Sequence, residues 1–340
     1  MACTLFQRRP EAHRIYGPVP PHTLVRLTKR ARRGRVRRRG RSMTPLQWVL
    51  GATAAPAVGL VLARRRLRVP PVVTLALVSA APVGVAVATP RRRWRYAAIG
   101  AAYMWSFVIT WALPYENPEK LRRRLQIDYE IRLDSLIGLG IPPSQRLQRA
   151  LRDPPRVTAL DKIVVLIYGS WFLPHGVLAW VLLRHDRFFP RAATRLAMAY
   201  HLTTPFYYLV PTAPPWWASE EAGRMDGEVE RVRRHVVNSL RRRPRQVHDS
   251  DPGNPWGSMP SDHIASAAMT AMGLAEVGPV YGVLGWTYVA LASFAVVYMG
   301  EHYVTDVLVG LAIAAGIQRW EAQTTPLVRR IAETLDRVST

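Results

Sequence analysis

The sequence predicts an all-α integral membrane protein of about eight spans, with a six-helix core that follows an extra N-terminal hairpin. Of the 340 residues, 49% are hydrophobic, and they are concentrated in stretches close to the roughly 20 residues that a membrane span needs. The net charge is +24 at pH 7, and the arginines lie in clusters between those stretches, as in polytopic membrane proteins. The single cysteine, Cys3, excludes an internal disulfide and a Cys-rich zinc or iron–sulfur site.

The first part of the chain, residues 1–43, is polar and strongly basic and lacks the apolar segment of a secretory signal peptide. We expect a disordered cytoplasmic tail on anionic lipid headgroups, where each basic residue is worth about 1 kcal/mol. No nucleic-acid partner is expected. A nucleic-acid or membrane-surface adaptor is the alternative, and it predicts that deletion of the tail abolishes the function, whereas an enzyme would be spared.

Apolar stretches then follow one another along the chain. The candidate spans are about 45–63, 71–89, 96–114, 162–183, 193–212, 262–278, 279–299 and 304–319. We therefore divide the rest of the chain into an N-terminal apolar hairpin (44–95), a membrane-embedded core (96–320) and a cytoplasmic C-terminal tail (321–340).

The arginine clusters set the expected orientation, because positive residues favour the cytoplasmic side. Eight spans place both termini and the loop from Arg184 to Arg195 inside, and residues 115–161 and 213–261 outside. The cluster Arg64–Arg68 then lies outside, against the rule. The abundance of arginine and of small apolar residues favours a bacterial plasma-membrane protein.

Two polar segments lie between the spans. Residues 119–137 alternate charged residues with leucine and isoleucine, which is typical of an amphipathic helix in the membrane interface; a soluble lid helix is the alternative. Residues 218–250 contain the basic run Arg241–Arg245 and predict a large extracytoplasmic loop.

The stretch from Trp256 to His263 precedes an apolar helix. Ser261 is a good N-cap residue, so His263 would lie in the first helical turn. Free backbone N–H groups and the positive end of the helix dipole favour an anion at that place. An ordinary capped helix with an interfacial histidine is the simpler interpretation of this stretch alone.

The stretch from Gly300 to Asp306 opens the last apolar helix. His302 and Asp306 are four residues apart, so we expect them on one helix face. Asp306 can then accept a hydrogen bond from one imidazole nitrogen and leave the other as a nucleophile. The apolar hairpin 262–299 returns the chain to the same membrane face, so the sequence predicts that His263 and His302 meet. Such a pair suits phosphoryl transfer through a phosphohistidine.

Both stretches resemble a known superfamily. Met259-Pro260-Ser261-Asp262-His263 resembles the Pro-Ser-Gly-His signature of type 2 phosphatidic acid phosphatases, and His302 with Asp306 resembles its closing His-x-x-x-Asp signature. Together with Pro211–Trp217, they most resemble the inositol phosphorylceramide synthase branch and its bacterial, inositolphosphotransferase-like relatives. The similarity covers about 120–320.

The resemblance implies a six-helix membrane core and assigns roles. His302 would attack phosphorus, His263 would protonate the leaving alcohol, Asp306 would orient His302, and Ser261 would hold phosphate oxygens. No metal and no other cofactor is expected, because the histidine carries the covalent step while dipoles and arginines stabilise charge.

The sequence departs from the superfamily pattern where phosphate-binding arginines are expected. Ala295 and Val296 stand where the closing signature has Ser-Arg, and the pair Arg243-Pro244 has Val236 in place of the upstream lysine. The expected substitutes for phosphate binding are Arg241, Arg242, Arg243 and Arg245. Trp216 and Trp217 are expected first as aromatic-belt anchors and second as residues that grip the lipid substrate.

The function that follows is a membrane enzyme acting on a lipid phosphate at the extracytoplasmic face, either a phosphatase or a headgroup phosphotransferase. A phospholipid, with an inositol headgroup, or a polyprenyl phosphate is the expected substrate. A catalytically degenerate scaffold or lipid-binding protein on the same fold is the alternative, and the absent Ser-Arg favours it.

Overall fold

A computed structural model describes residues 56–89, 93–184, 189–240 and 254–338, and the fold is built from helices. The named α-helices are α1 (Pro71–Ala88), α2 (Arg93–Ala112), α3 (Pro118–Arg122), α4 (Asp128–Ile137), α5 (Pro143–Leu151), α6 (Ala159–Gly169), α7 (Phe172–Arg184), α8 (Phe189–Leu209), α9 (Pro215–Glu220), α10 (Val232–Ser239), α11 (Asp262–Val277), α12 (Pro279–Tyr298) and α13 (Val304–Val338). Within these described ranges no β-strand forms, and the chain makes two isolated bridges. The predicted all-α class is confirmed.

Three of the described helices are long and apolar enough to cross a membrane. They cover Pro71–Ala88, Ala97–Glu116 and Pro279–Tyr298, each 18 to 20 residues long. These helices support the membrane-protein prediction. The count of eight spans and the six-helix core stay predictions, and most of the stretch 45–63 and all of the basic tail lie outside the described residues.

Two expected spans have different bounds in the structure. The stretch 162–183 is divided into α6 and α7 at Ser170 and Trp171. The hydroxyl of Ser170 donates to the carbonyl oxygen of Ile167 at 2.7 Å, and such a side-chain bond competes with the helical ladder. The last helix, α13, does not end near 319 but continues to Val338. Residues 321–338 are therefore helical, and their assignment to a cytoplasmic tail stays a prediction.

The amphipathic segment 119–137 forms two short helices, α3 and α4, and not the single helix that the sequence predicts. Helix α4 buries two acidic residues, Glu130 and Asp134, and exposes apolar ones. Leu136 is 75% exposed and Leu139, just after the helix, is 86% exposed. Exposed leucines beside a membrane-spanning bundle favour the interfacial interpretation of this segment over the soluble lid.

Helix α11 lies at the centre of the bundle and packs against α8, α12 and α13. Small residues allow these contacts. A Cβ added to Gly310 on α13 would lie 2.6 Å from the carbonyl oxygen of Ser261, and one added to Gly285 on α12 would lie 2.8 Å from the Cα of Ala271. The start of α11 is therefore fixed tightly against α13.

One end of the bundle collects the segments that carry the two histidine stretches. Thr212, after α8, bridges both Gln126 and Gly257, and α11 and α13 both begin at this end. An ion network lies where α8 begins and α11 ends: Arg195 donates to Glu276 at 2.7 Å and to Glu321 at 2.6 Å. The residues of the predicted loop 115–161 that approach this end thus share it with parts of the described segments 213–240 and 254–261.

Candidate active site

His263 and His302 lie side by side, as the apolar hairpin between them predicts. Their ring centroids are 5.7 Å apart and the rings are inclined by 65°. His263 lies in the first turn of α11, and His302 precedes α13, with 5% of its surface exposed. Two imidazoles at this separation can act on opposite sides of one small group such as a phosphate.

Asp306 contacts His302, but not through a shared helix face. Helix α13 begins only at Val304, and the carboxylate of Asp306, in its first turn, turns back to accept from the backbone N–H of Tyr303 at 2.9 Å. This is the back-reaching half of a capping box. The same Oδ2 atom accepts from Nδ1 of His302 at 3.2 Å and from the hydroxyl of Ser258 at 2.5 Å. This contact favours the tautomer with the proton on Nδ1, in which Nε2 presents its lone pair.

A second buried carboxyl group, that of Glu130 on α4, contacts Asp306. Oε2 of Glu130 and Oδ1 of Asp306 are buried, and neither has a hydrogen-bond partner among the described residues. Complete burial, followed by the nearby charge of Asp306, raises the pKa of Glu130 well above its ordinary value. This shift favours the protonated form of Glu130, which can act as a donor to Asp306. Its Oε1 accepts from the hydroxyl of Tyr129 at 3.1 Å.

Asp134, one turn further along α4, holds the start of α13. Its two carboxylate oxygens accept from the backbone N–H groups of Val304 and Thr305, each at 2.9 Å, and from the Thr305 hydroxyl at 2.7 Å. These donors are otherwise unsatisfied at a helix N-terminus. Helix α4 therefore positions the segment that carries His302.

Aromatic rings also lie close to His263. Tyr168 stacks on it with a centroid distance of 4.7 Å, and Trp171 lies at 4.9 Å. The neighbouring carboxylate of Asp262 accepts from the hydroxyl of Thr203 at 2.9 Å, which turns it towards α8. The acidic residue that replaces glycine in the signature thus has its own partner.

Two arginines that precede or begin α10 lie beside the histidines. Arg231 and Arg233 each donate to the carboxylate of Glu301, at 3.0 and 3.2 Å. Arg233 also lies over the ring of Tyr168, 5.9 Å from its centroid. Burial opposes the ionisation of Glu301, but the two guanidinium groups outweigh it and lower its pKa to about 2.

The predicted substrate residues have mixed outcomes. Ser261 is the N-cap residue of α11, as the sequence predicts, although its side chain makes no capping hydrogen bond. Its buried hydroxyl has no partner among the described residues.

Trp216 is 5% exposed and lies under Arg231, 4.2 Å from its guanidinium carbon, so it is not an outward-facing belt anchor. Trp217 packs against Trp256 at 5.7 Å.

Other predictions concern residues that the structure does not describe. Arg241, Arg242, Arg243 and Arg245 fall within 241–253, outside the described residues. In the part of the chain that is described, no group of three or more His, Cys, Asp or Glu side chains has the geometry to hold a metal ion.

The chain also matches a model of a known protein family. The model of the PAP2 superfamily matches residues 131–320, more than half of the chain. The chain belongs to the PAP2 superfamily. Neither a curated protein nor a solved structure matches it. The predicted resemblance is thereby confirmed at the level of the superfamily, and membership suggests phosphatase-type chemistry on lipid phosphoesters. The PAP2 match includes His263, His302 and Asp306 and begins just after Glu130.

Sequence reasoning missed several residues of this PAP2 site. Glu130 and Asp134 are one helical turn apart, so they share a face of α4, and this spacing could have separated them from the solvated charges nearby. Arg231 and Arg233 precede the basic run Arg241–Arg245, and the sequence led us to assign phosphate binding to that run instead. For Ser258 the signal was its place five residues before His263 in an otherwise recognised motif.

Proposed function

We propose that this PAP2 protein is a membrane enzyme that cleaves or transfers a phosphate-linked lipid headgroup through a phosphohistidine on His302. The observation that carries the proposal is the bond from Nδ1 of His302 to Asp306 at 3.2 Å. It leaves Nε2 unprotonated, next to a second histidine and to a helix N-terminus that favours anions.

The reaction has two steps. In the first, Nε2 of His302 forms a bond to phosphorus, and the bond from phosphorus to the leaving oxygen breaks as His263 gives that oxygen a proton. In the second, water or a second alcohol gives its proton to His263 and attacks phosphorus, and the bond to Nε2 breaks. Water would make the enzyme a phosphatase, and an alcohol would make it a phosphotransferase. The route uses no metal.

Arg233 is the best candidate for the missing phosphate ligand. It lies over Tyr168, whose ring stacks on His263, and its side chain is 28% exposed, against 11% for Arg231. Arg231 is held between Glu301 and the ring of Trp216. A guanidinium group can bind two phosphate oxygens at once, so Arg233 could do the work of the arginine that Val296 replaces.

The finer identity follows the motif resemblance. We infer an inositol-phosphate or polyprenyl-phosphate lipid as substrate, an inositolphosphotransferase-like branch, and a site on the extracytoplasmic face with both termini inside. The short arginine-containing loop between α7 and α8 supports this orientation. A reporter fused after residue 250 that works only in the cytoplasm would contradict it.

The decisive experiment compares histidine variants on two substrates. His302→Ala should abolish turnover and the acid-labile phosphoenzyme on every substrate. His263→Ala should lose roughly 10²- to 10⁴-fold on a natural lipid but recover most of its rate on a nitrophenyl phosphate ester, because that leaving group needs little protonation. Asp306→Asn should be slow on both. Rescue of His302→Ala alone would reverse the two roles.

The arginine assignment is tested with neighbouring variants. Arg233→Ala should lower kcat/KM at least tenfold, about 1.4 kcal/mol, while Arg233→Lys should keep part of the rate. Arg234→Ala is the control, because that side chain pairs with Glu220 at 2.6 Å. If Arg243→Ala is harmful and Arg233→Ala is not, the later basic run binds the phosphate.

The scaffold hypothesis has one observation in its favour. Val296, which occupies the place of the signature arginine, is 1% exposed, and its carbonyl oxygen accepts from the backbone N–H groups of Glu301 and His302. It has no group for phosphate. If none of His263→Ala, His302→Ala and Arg233→Ala changes the turnover of phospholipids, the scaffold hypothesis replaces the enzyme.

A further inference from the structure

A large cavity lies apart from the histidine pair, at the same end of the bundle. Its volume is about 800 Å³, and its walls come from the segment 64–71, the end of α2 with the turn that follows it, and α3. Tyr208, near the end of α8, closes one side and donates its hydroxyl to the carbonyl oxygen of Thr110 at 2.6 Å. The cavity is large enough for a lipid headgroup.

The charge of the cavity wall is strongly positive. It contains five basic side chains and one acidic one, Glu116; the basic ones are Arg64, Arg65, Arg68, Lys120 and Arg124. Glu116 is already used, because Arg64 donates to it at 2.7 Å and Arg65 lies 3.5 Å away. Among the described residues, the side chains of Arg68, Lys120 and Arg124 have no acidic partner, so an anion from outside the chain would complete the site.

The position of the cavity indicates where that anion comes from. One membrane-capable helix begins at Pro71 and another ends at Glu116, and residues from both places line the cavity. The opening is therefore at the level where an apolar bundle meets the headgroup layer. Apolar side chains, including Val69, Leu113 and Leu121, share the wall with the basic ones. This combination suits a group with a phosphate next to a glycerol and the upper part of an acyl chain.

The cavity also touches the segment that supports the histidine site. Tyr115, in the cavity wall, packs edge-on against Trp256 with a centroid distance of 5.1 Å. Two residues after Trp256, the hydroxyl of Ser258 donates to Asp306. A molecule in the cavity therefore lies against the loop that fixes the dyad, without being the molecule that His302 attacks.

We propose that this cavity binds the phosphate group of an anionic phospholipid at a site separate from His302. The phosphate accepts charge-assisted hydrogen bonds from Arg68, Lys120 and Arg124, and the acyl chains remain beside α1 and α2. Guanidinium and ammonium groups are the side chains that bind phosphate most strongly. The site stands whether or not the chain catalyses phosphoryl transfer, because none of its residues takes part in that step.

The test measures lipid retention by the full-length protein in a neutral detergent. The protein is mixed with phosphatidylglycerol or phosphatidylcholine, and bound lipids are counted by native mass spectrometry. The variant Arg68→Gln/Lys120→Gln/Arg124→Gln is compared with the wild type. The control is Arg122→Gln/Arg123→Gln/Arg132→Gln, which removes the same charge from exposed residues of the same segment that do not line the cavity.

We expect the wild type and the control to retain one more phosphatidylglycerol than the cavity variant, with at least about tenfold weaker binding in that variant. Phosphatidylcholine should not replace it. Millimolar inorganic phosphate or glycerol 3-phosphate that displaces the lipid would identify a site for the phosphate group alone. Equal losses in both triple variants, or no retained phosphatidylglycerol in the wild type, would overturn the proposal. Loss of activity in His302→Ala leaves this count unchanged, so the two proposals fail separately.

Discussion

Replacing Glu130 by glutamine tests the prediction that this buried side chain is protonated where it meets Asp306. Glutamine has nearly the same shape, is neutral at every pH and keeps an N–H donor for Oδ1 of Asp306. The variant therefore removes one property, the ability of this side chain to ionise, and leaves the hydrogen bond.

The size of the effect follows from linkage. Burial and the charge of Asp306 raise the pKa of Glu130 in the folded protein, so its contribution to stability is complete below the ordinary pKa of about 4.3 and is lost as the pH rises towards the folded pKa. Over that interval the free energy of unfolding of Glu130→Gln should increase relative to the wild type by about 1.4 kcal/mol per pH unit. Effects of the substitution that do not depend on pH cancel in this slope.

The assay is reversible unfolding in detergent micelles from about pH 5 to about pH 7, with the difference between variant and wild type taken at each pH. Glu119→Gln, at an exposed position on α3, is the control and should give no such slope. Infrared difference spectra at neutral pH supply a second readout, because the wild type should show the carbonyl band of a protonated carboxyl that Glu130→Gln lacks. A flat stability difference together with no lost band would show that Glu130 is ionised and would refute the assignment.

Three further substitutions test the packing and the caps around the site. Gly310→Ala should destabilise the protein by about 1–3 kcal/mol in thermal unfolding and lower activity, because its Cβ would lie 2.6 Å from the carbonyl oxygen of Ser261. Gly84→Ala is the control and should cost no stability in the same assay, because a Cβ there meets nothing within 4 Å. Asp134→Ala should cost about 1–3 kcal/mol because it leaves the start of α13 without acceptors, and Asp134→Asn should cost less in the same unfolding measurement; equal costs would argue against the cap. The pKa of Glu301 is lowered to about 2, so its ion pairs stabilise the protein above about pH 4.3 and are lost as the pH falls towards 2. The free energy of unfolding should therefore fall less steeply with decreasing pH in Glu301→Gln than in the wild type. An unchanged pH dependence in this range would contradict that role.

The sequence predicted the helical class and the meeting of the two histidines, because both follow from chain geometry. A hairpin of two apolar helices returns to the face it left, so His263 and His302 had to share that face. The partnership of His302 with Asp306 was also predicted, although for a different reason than the one found. A spacing of four suits a helix face, and it equally suits a carboxylate in the first turn that turns back to the residues before the helix.

Long-range polar contacts could not be predicted in the same way. Segment 119–137 has alternating charges, and periodicity alone cannot say which charged residues are solvated and which are buried. Asp134 is buried because it satisfies backbone donors 170 residues later in the chain, and no local pattern contains that information. The division of 162–183 at Ser170 could not be predicted for a related reason. Mean hydropathy is insensitive to a single hydroxyl that donates to a backbone carbonyl of its own helix.

Asp306 connects the proposed catalysis to folding in one side chain. Its carboxylate collects donors from Ser258, His302 and Tyr303, and Glu130 reaches it from a helix far earlier in the sequence. The proposed nucleophile, His302, is thus aligned only when segments that begin about 180 residues apart have already come together. A partly assembled chain in the membrane would hold His302 without a fixed tautomer and would be chemically silent. If His302 is the nucleophile that we propose, the protein acquires its reactivity only at the end of folding, and unfinished molecules would not attack the lipids around them.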